Sequence, residues 1–266
     1  MNILVLSALS LGFYTFGILY QLLAYLKKLE LKPFISVLLG SLAAITQLIL
    51  TANQLIEKDN YNFNLLTTAS LIAGIVVLGL VITATRKPLQ ATLLIIYPVA
   101  ALATAATAYW NGHNSVFEPT SSGIFLHIAL SVVAYCVLSI AAIQAILIYV
   151  QNNNLKKKNN TILMRNLPPL LTMEKLLFEM LWSGTTLLAL AVLAGFIFVD
   201  NLFAQHLAHK TFFSLLSLAV FSTLLYGRKV HGWRGLTASK LTLWGISFLM
   251  LGFFGSKFVL ELILAK

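Results

Sequence analysis

Three histidines are the side chains of this chain whose type and placement best suit a chemical role. His206 and His209 stand three residues apart in 201-NLFAQHLAHKTFF-213, and His127 lies in 123-GIFLHIALSVVAYC-136. Neutral imidazole is a good axial ligand for haem iron, and the macrocycle takes one ligand on each face. If residues 203–211 are helical, His206 and His209 share a face. Only one of them can complete a single iron with His127, which leaves the other as a neighbour of the site, a transient ligand or an ordinary interfacial residue. His127 has simpler readings too, bonded to a backbone carbonyl or lining a wet vestibule. His113 and His231 read as loop residues. Zinc held by a histidine pair and a third ligand would be a rival, but there is no HExxH run, and the single cysteine, Cys136, has no CxxC partner. Lys257, in 252-GFFGSKFVLEL-262, and Lys210, beside His209, are candidates to meet a haem propionate. The simpler readings are a Lys257–Glu261 pair four residues apart and an interfacial lysine.

The elements that must carry these groups follow from composition. Of 266 residues, 59% are hydrophobic and 10% charged, which is a membrane composition. Apolar runs long enough for a span, ~20 residues, fall at 3–26, 33–56, 63–85, 89–110, 124–150, 176–199, 211–227 and 241–264. The seventh is short unless it extends to Arg228 or back toward His206. The first lacks a basic leader and a small-residue cleavage site, so it reads as a retained helix. The fold class is therefore an all-α, polytopic membrane bundle of eight helices, taken as one membrane domain over 1–266. Within it, 1–120 and 121–266 are distinguishable parts.

Orientation comes from the loops. Lys27, Lys28, Lys32, Arg86, Lys87, Lys156, Lys157, Lys158, Arg165, Lys175, Arg228, Lys229, Arg234 and Lys240 lie in odd-numbered gaps, whereas the even gaps hold only Lys58 and Lys210. The positive-inside rule makes the odd gaps cytoplasmic, so both termini and the His206/His209 gap face the outer, periplasmic side. The formal charge of +10 is then topological and argues against nucleic acid, with some attraction to anionic membrane lipid. The segment 152–175, with its Asn/Lys cluster and Pro168–Pro169, reads as a flexible cytoplasmic linker. Small residues in 183-SGTTLLALAVLAG-195 read as allowing close helix packing, and Trp110 and Trp233 as interfacial belt residues.

The C-terminal half carries a resemblance. In order it reads 126-LHIALSVVAYCVLSIAAIQAILIY-149, 194-AGFIFVDNLFAQHLAHKTFFSLL-216, 227-GRKVHGWRG-235 and 252-GFFGSKFVLE-261. This series resembles the cytochrome c assembly family, and among its branches the HemX/YpjD-like one, over roughly 120–264. The resemblance implies a multi-pass protein of the bacterial inner membrane that handles haem at the outer face. It places the family's outer ligand histidine on His127 and an A-H-K pattern on Ala208, His209 and Lys210, which favours His209 over His206. The family's haem-presenting members carry a tryptophan-rich loop, but 200–210 contains no Trp. Tyr226 stands where those members have a histidine, and no histidine follows the last helix. The expectation is thus a non-covalent, b-type haem bound by His127 and His209, with no presentation loop and no inner haem site. Bis-histidine iron has no open position, which suits a carrier, sensor or electron-transfer role and not an enzyme. A different expectation is a non-haem accessory or regulatory subunit of a membrane complex, such as a divalent-metal resistance or efflux system, with another membrane protein as its partner.

Overall fold

The computed structural model describes residues 3–26, 29–30, 32–57, 60–62, 64–85, 90–109, 116–117, 122–157, 167–199 and 205–255. Eight helices in it are long and apolar enough to cross a membrane. They are α1 (Ile3–Tyr25), α2 (Pro33–Leu55), α3 (Leu65–Ala84), α4 (Gln90–Tyr109), α5 (Ser122–Lys156), α6 (Leu170–Phe198), α7 (Gln205–His231) and α8 (Gly235–Met250). A π-helical turn, Leu251–Gly255, continues α8, and the two together make the eighth span, Gly235–Gly255. The only other regular structure among the described residues is a small antiparallel sheet of β1 (Ile56–Glu57), β2 (Asn60–Asn62) and β3 (Val116–Phe117), with Tyr61 opposite both Ile56 and Phe117.

Helix ends follow local chemistry. Pro33 opens α2, where its missing N–H costs nothing. Asn64 caps α3 by accepting the Thr67 N–H at 2.7 Å. Pro169 stands immediately before α6. Two helices run further than hydropathy alone indicates. The Asn-rich end of α5 stays helical to Lys156, and α6 already begins at Leu170, so much of the segment read as a linker is helix. With 35 residues, α5 is ~52 Å long against a hydrocarbon core of ~30 Å. The seventh span extends at both ends, which brings His206 and His209 into the first turns of α7.

The chain divides into two compact units, one holding α1–α4 and the other α5–α8. In the first, each helix packs on the next and α4 returns to α1. Its exterior is apolar, as bilayer insertion requires, and its interior mixes aliphatic side chains such as Leu50, Val77 and Leu80 with buried polar ones. Ser7, Ser10, Tyr14, Gly17 and Gln21 form a buried stripe along α1 at three- and four-residue spacing. On α2 the matching buried stripe is Ser36, Gly40, Ala43, Gln47 and Thr51. Small residues and interhelical hydrogen bonds take over the role that hydrophobic burial has in water. Ser10 donates to the Ala43 carbonyl at 3.1 Å, Tyr14 to Gln47 Oε1 at 2.5 Å, and Gln47 Nε2 to the Ser70 carbonyl at 3.1 Å. Tyr97 of α4 passes between Gly17 and Gly40 and donates its hydroxyl to the Ser36 carbonyl at 2.7 Å. Phe16, Phe34 and Leu102 are among the large apolar side chains left on the outside.

The second unit is a ring of the same order: α5 packs on α6 and α8, and α7 packs on α6 and α8. Helices α5 and α7 therefore occupy diagonal corners. Ser217 of α7 donates to the Gly245 carbonyl of α8 at 2.8 Å, and the Tyr135 hydroxyl of α5 donates to the Leu249 carbonyl just before the π turn.

Candidate functional site

His127 sits in the second turn of α5, half-buried, with its ring laid against α6. Its Nδ1 is 2.7 Å from the Ala191 carbonyl oxygen. A carbonyl can only accept, so Nδ1 carries the proton and donates it. In the neutral ring this leaves Nε2 with its lone pair, the tautomer a metal-binding histidine needs, and the bond also fixes the ring plane. Gly195, one turn beyond Ala191, makes room for the contact. A Cβ there would stand 3.0 Å from His127 Cε1 and 3.1 Å from Nδ1, but 3.8 Å from Nε2. The Cε1–Nδ1 edge is therefore the one pressed onto α6, and Nε2 is the less confined nitrogen. Ser131 donates to the His127 carbonyl at 2.8 Å.

His209 lies in the first turns of α7 with an exposed side chain. It belongs to the same end of the second unit as His127, because α5 and α7 start where α6 ends. The two histidines thus stand on diagonal corners at one end of a four-helix ring. His206 is in the opening turn of α7, and its side chain lies outside the described residues, as do His113, Lys257 and Glu261. Lys210 is half-buried. Its carbonyl oxygen and Cα would lie 3.5 Å and 3.9 Å from a Cβ at Gly252, so the π turn of α8 passes directly over the residue that follows His209. The aromatic rings of Tyr135, Phe253 and Phe254 cluster at this turn, 5.1 to 6.0 Å apart. Among the described residues no group of three or more His, Cys, Asp or Glu is placed to hold a metal ion.

His231 is at the opposite end of the unit. It stacks on Trp233 at 5.8 Å between ring centres, far along α7 from His209. Trp233 is half-buried over Gly227, a turn contact as well as an end-of-span aromatic. At this end Glu174 of α6 is 4% exposed and lies against the amino end of α8. A Cβ at Gly235 would be 3.5 Å from Glu174 Oε1 and 3.0 Å from Asn152 Nδ2. Gly235 has φ +58°, which a side chain would strain. The helix amino end carries partial positive charge, so it accommodates the buried carboxylate.

Three groups escaped the sequence reading. The Ala191 carbonyl has no sequence signature. Gly195 was legible only as one more small residue, and its particular task is to admit an imidazole. Glu174 is a lone acid at a helix start next to Lys175 and offers no pattern.

A chain of eight apolar helices, each long enough to cross a bilayer, defines a class: multi-pass helical membrane proteins. Within that class the chain belongs to the cytochrome c assembly protein family, whose pattern matches residues 35–264. It is 29% identical over 202 residues to the inner membrane protein YpjD of Escherichia coli strain K12, covering 76% of each chain. It is also 32% identical over 143 residues to an uncharacterized 28.8 kDa protein in the nifR3-like 5' region of Azospirillum brasilense, covering 53% of each. No solved structure matches. The chain is a multi-pass inner-membrane protein.

Proposed function

We propose that this protein binds one b-type haem non-covalently at the outer face of the inner membrane, with His127 and His209 as axial ligands. The observation that carries the reading is the Nδ1 bond from His127 to Ala191, which leaves Nε2 as the donor. The residues present fit the group: one imidazole oriented by a backbone carbonyl, a second on the diagonal helix at the same end, and Lys210 beside it for a propionate. Haem would supply a reversible one-electron couple. If His127 and His209 both held the iron, no position would be left for a substrate, which would suit a role in carrying or sensing haem or passing electrons. The placing of this end outside rests on the lysines and arginines of the other end, in keeping with the positive-inside rule. Similarity to YpjD supports placing the chain in the HemX/YpjD-like branch.

The test is the visible spectrum of detergent-purified protein, as isolated and after addition of haemin, oxidised and dithionite-reduced. A low-spin spectrum with sharp reduced α and β bands is expected. Protein that stays colourless and takes up no haemin would end the haem reading and leave the family assignment intact.

Gly195→Ala gives a finer expectation. The new methyl group pushes the His127 ring a few tenths of an ångström off α6 and weakens the Nδ1 bond, which lowers the basicity of Nε2. The haem should remain low-spin, with a reduction potential raised on the order of tens of mV. A redox titration showing the parent's potential would mean that the Ala191 bond does not tune the ligand.

A further inference from the structure

The end of the second unit opposite the histidines carries a compact set of cations on a rigid turn. Arg228 is half-buried. Its guanidinium lies 4.6 Å from the centre of the Phe178 ring and donates to the Trp233 carbonyl at 3.3 Å. Trp233 in turn donates its backbone N–H to the Gly227 carbonyl at 3.2 Å, rests its indole on Gly227 and stacks with His231. The turn is therefore tied to α7 at both its backbone and its rings, and φ of +66° at Gly232 lets it close. Lys229 and Arg234 are exposed on either side of it.

Glu174 is buried against the amino end of α8, and Glu179 shares a helix face with Lys175, four residues earlier. The cations border exposed apolar side chains, Tyr226 and Val230 on the last turns of α7. A ligand suited to this surface has an anionic head and hydrocarbon beneath it. A free anion would satisfy only the first part.

We propose that the α7–α8 turn, through Arg228, Lys229 and Arg234, binds the phosphate headgroup of an anionic phospholipid. Arg228 supplies a planar, pre-oriented donor, and Lys229 and Arg234 supply point charge on either side. This assignment does not depend on haem.

The experiment is native mass spectrometry of the full chain in detergent, titrated with phosphatidylglycerol, with phosphatidylcholine and with inorganic phosphate at one ionic strength. Two double variants with equal loss of charge are compared: Lys229→Gln/Arg234→Gln at the turn and Lys156→Gln/Lys157→Gln at the end of α5. All four side chains are exposed, so both proteins should fold. Phosphatidylglycerol should bind the parent and the α5 variant alike, and the turn variant at least fivefold more weakly, while phosphatidylcholine binds none of them in preference. Equal weakening in the two variants would reduce the site to diffuse attraction and overturn the proposal. So would equal binding of phosphatidylcholine, or inorganic phosphate that displaces the lipid completely.

Discussion

His127→Ala should turn a low-spin haem protein into one that is high-spin or has lost its pigment altogether, the largest single effect expected of any substitution in this chain. The imidazole has its orientation fixed by a bond to a neighbouring helix, at 2.7 Å from the Ala191 carbonyl. Removing it leaves a single histidine for an iron that needs two strong-field ligands to stay low-spin, and His209 is exposed. His209→Ala should show the same change of spin state. His231→Ala serves as the control, because that ring stacks on Trp233 at the other end of α7 and its loss should leave the spectrum unaltered. A His127→Ala protein that keeps sharp low-spin bands would remove His127 from the ligand set and direct attention to His206.

The second large effect concerns the first unit. Gly40→Val should lower its stability by ~3 kcal/mol, the upper part of the usual range for overpacking. Even the Cβ would stand 2.8 Å from Tyr97 Cζ and 2.9 Å from Val81 Cγ2. Tyr97 is fully buried and its hydroxyl is committed to the Ser36 carbonyl, so the ring cannot swing aside without breaking that bond. In detergent the thermal midpoint should fall by roughly 10 °C. Gly12→Val is the matched comparison, since a Cβ at Gly12 meets nothing within 4 Å and should melt with the parent. Equal midpoints for Gly40→Val and the parent would show that the Tyr97 slot is not filled as described.

Much of this architecture is legible in the sequence, because bilayer thickness and apolar run length leave few alternatives. Each of the eight helices corresponds to an apolar run. What escapes is set by weaker forces. The ends of α5 and α6 are displaced because Asn152–Lys156 and Leu170–Lys175 can be helical beyond the apolar stretch at little cost, and hydropathy is blind to that. The polar stripe on α1 was there to be read at its three- and four-residue spacing, but serines in an apolar run look like diluents until the facing stripe on α2 is seen. The three short strands have two or three residues each, too few to carry a period.

The histidine site divides in the same way. Residue type and depth single out His127, but its partner is a backbone carbonyl 64 residues away on an alanine, invisible to any motif. Two readings of His127 that compete on sequence alone, a ring bonded to a carbonyl and a ring that binds iron, turn out to be compatible. One uses Nδ1 and the other Nε2.

Several polar side chains buried in the first unit have atoms left without a bonded partner among the described residues, Gln21 most completely. Gln21 is fully buried with neither amide atom bonded among the described residues. Ser36 on α2 is buried as well, and its hydroxyl is likewise unbonded among the described residues. A buried amide left so carries ~1–3 kcal/mol of uncompensated desolvation. Nature has therefore left slack in this fold at a known address. Filling it with hydrocarbon of the same length, by Gln21→Met, is the natural first step toward a hardier protein for experiments that need days in detergent.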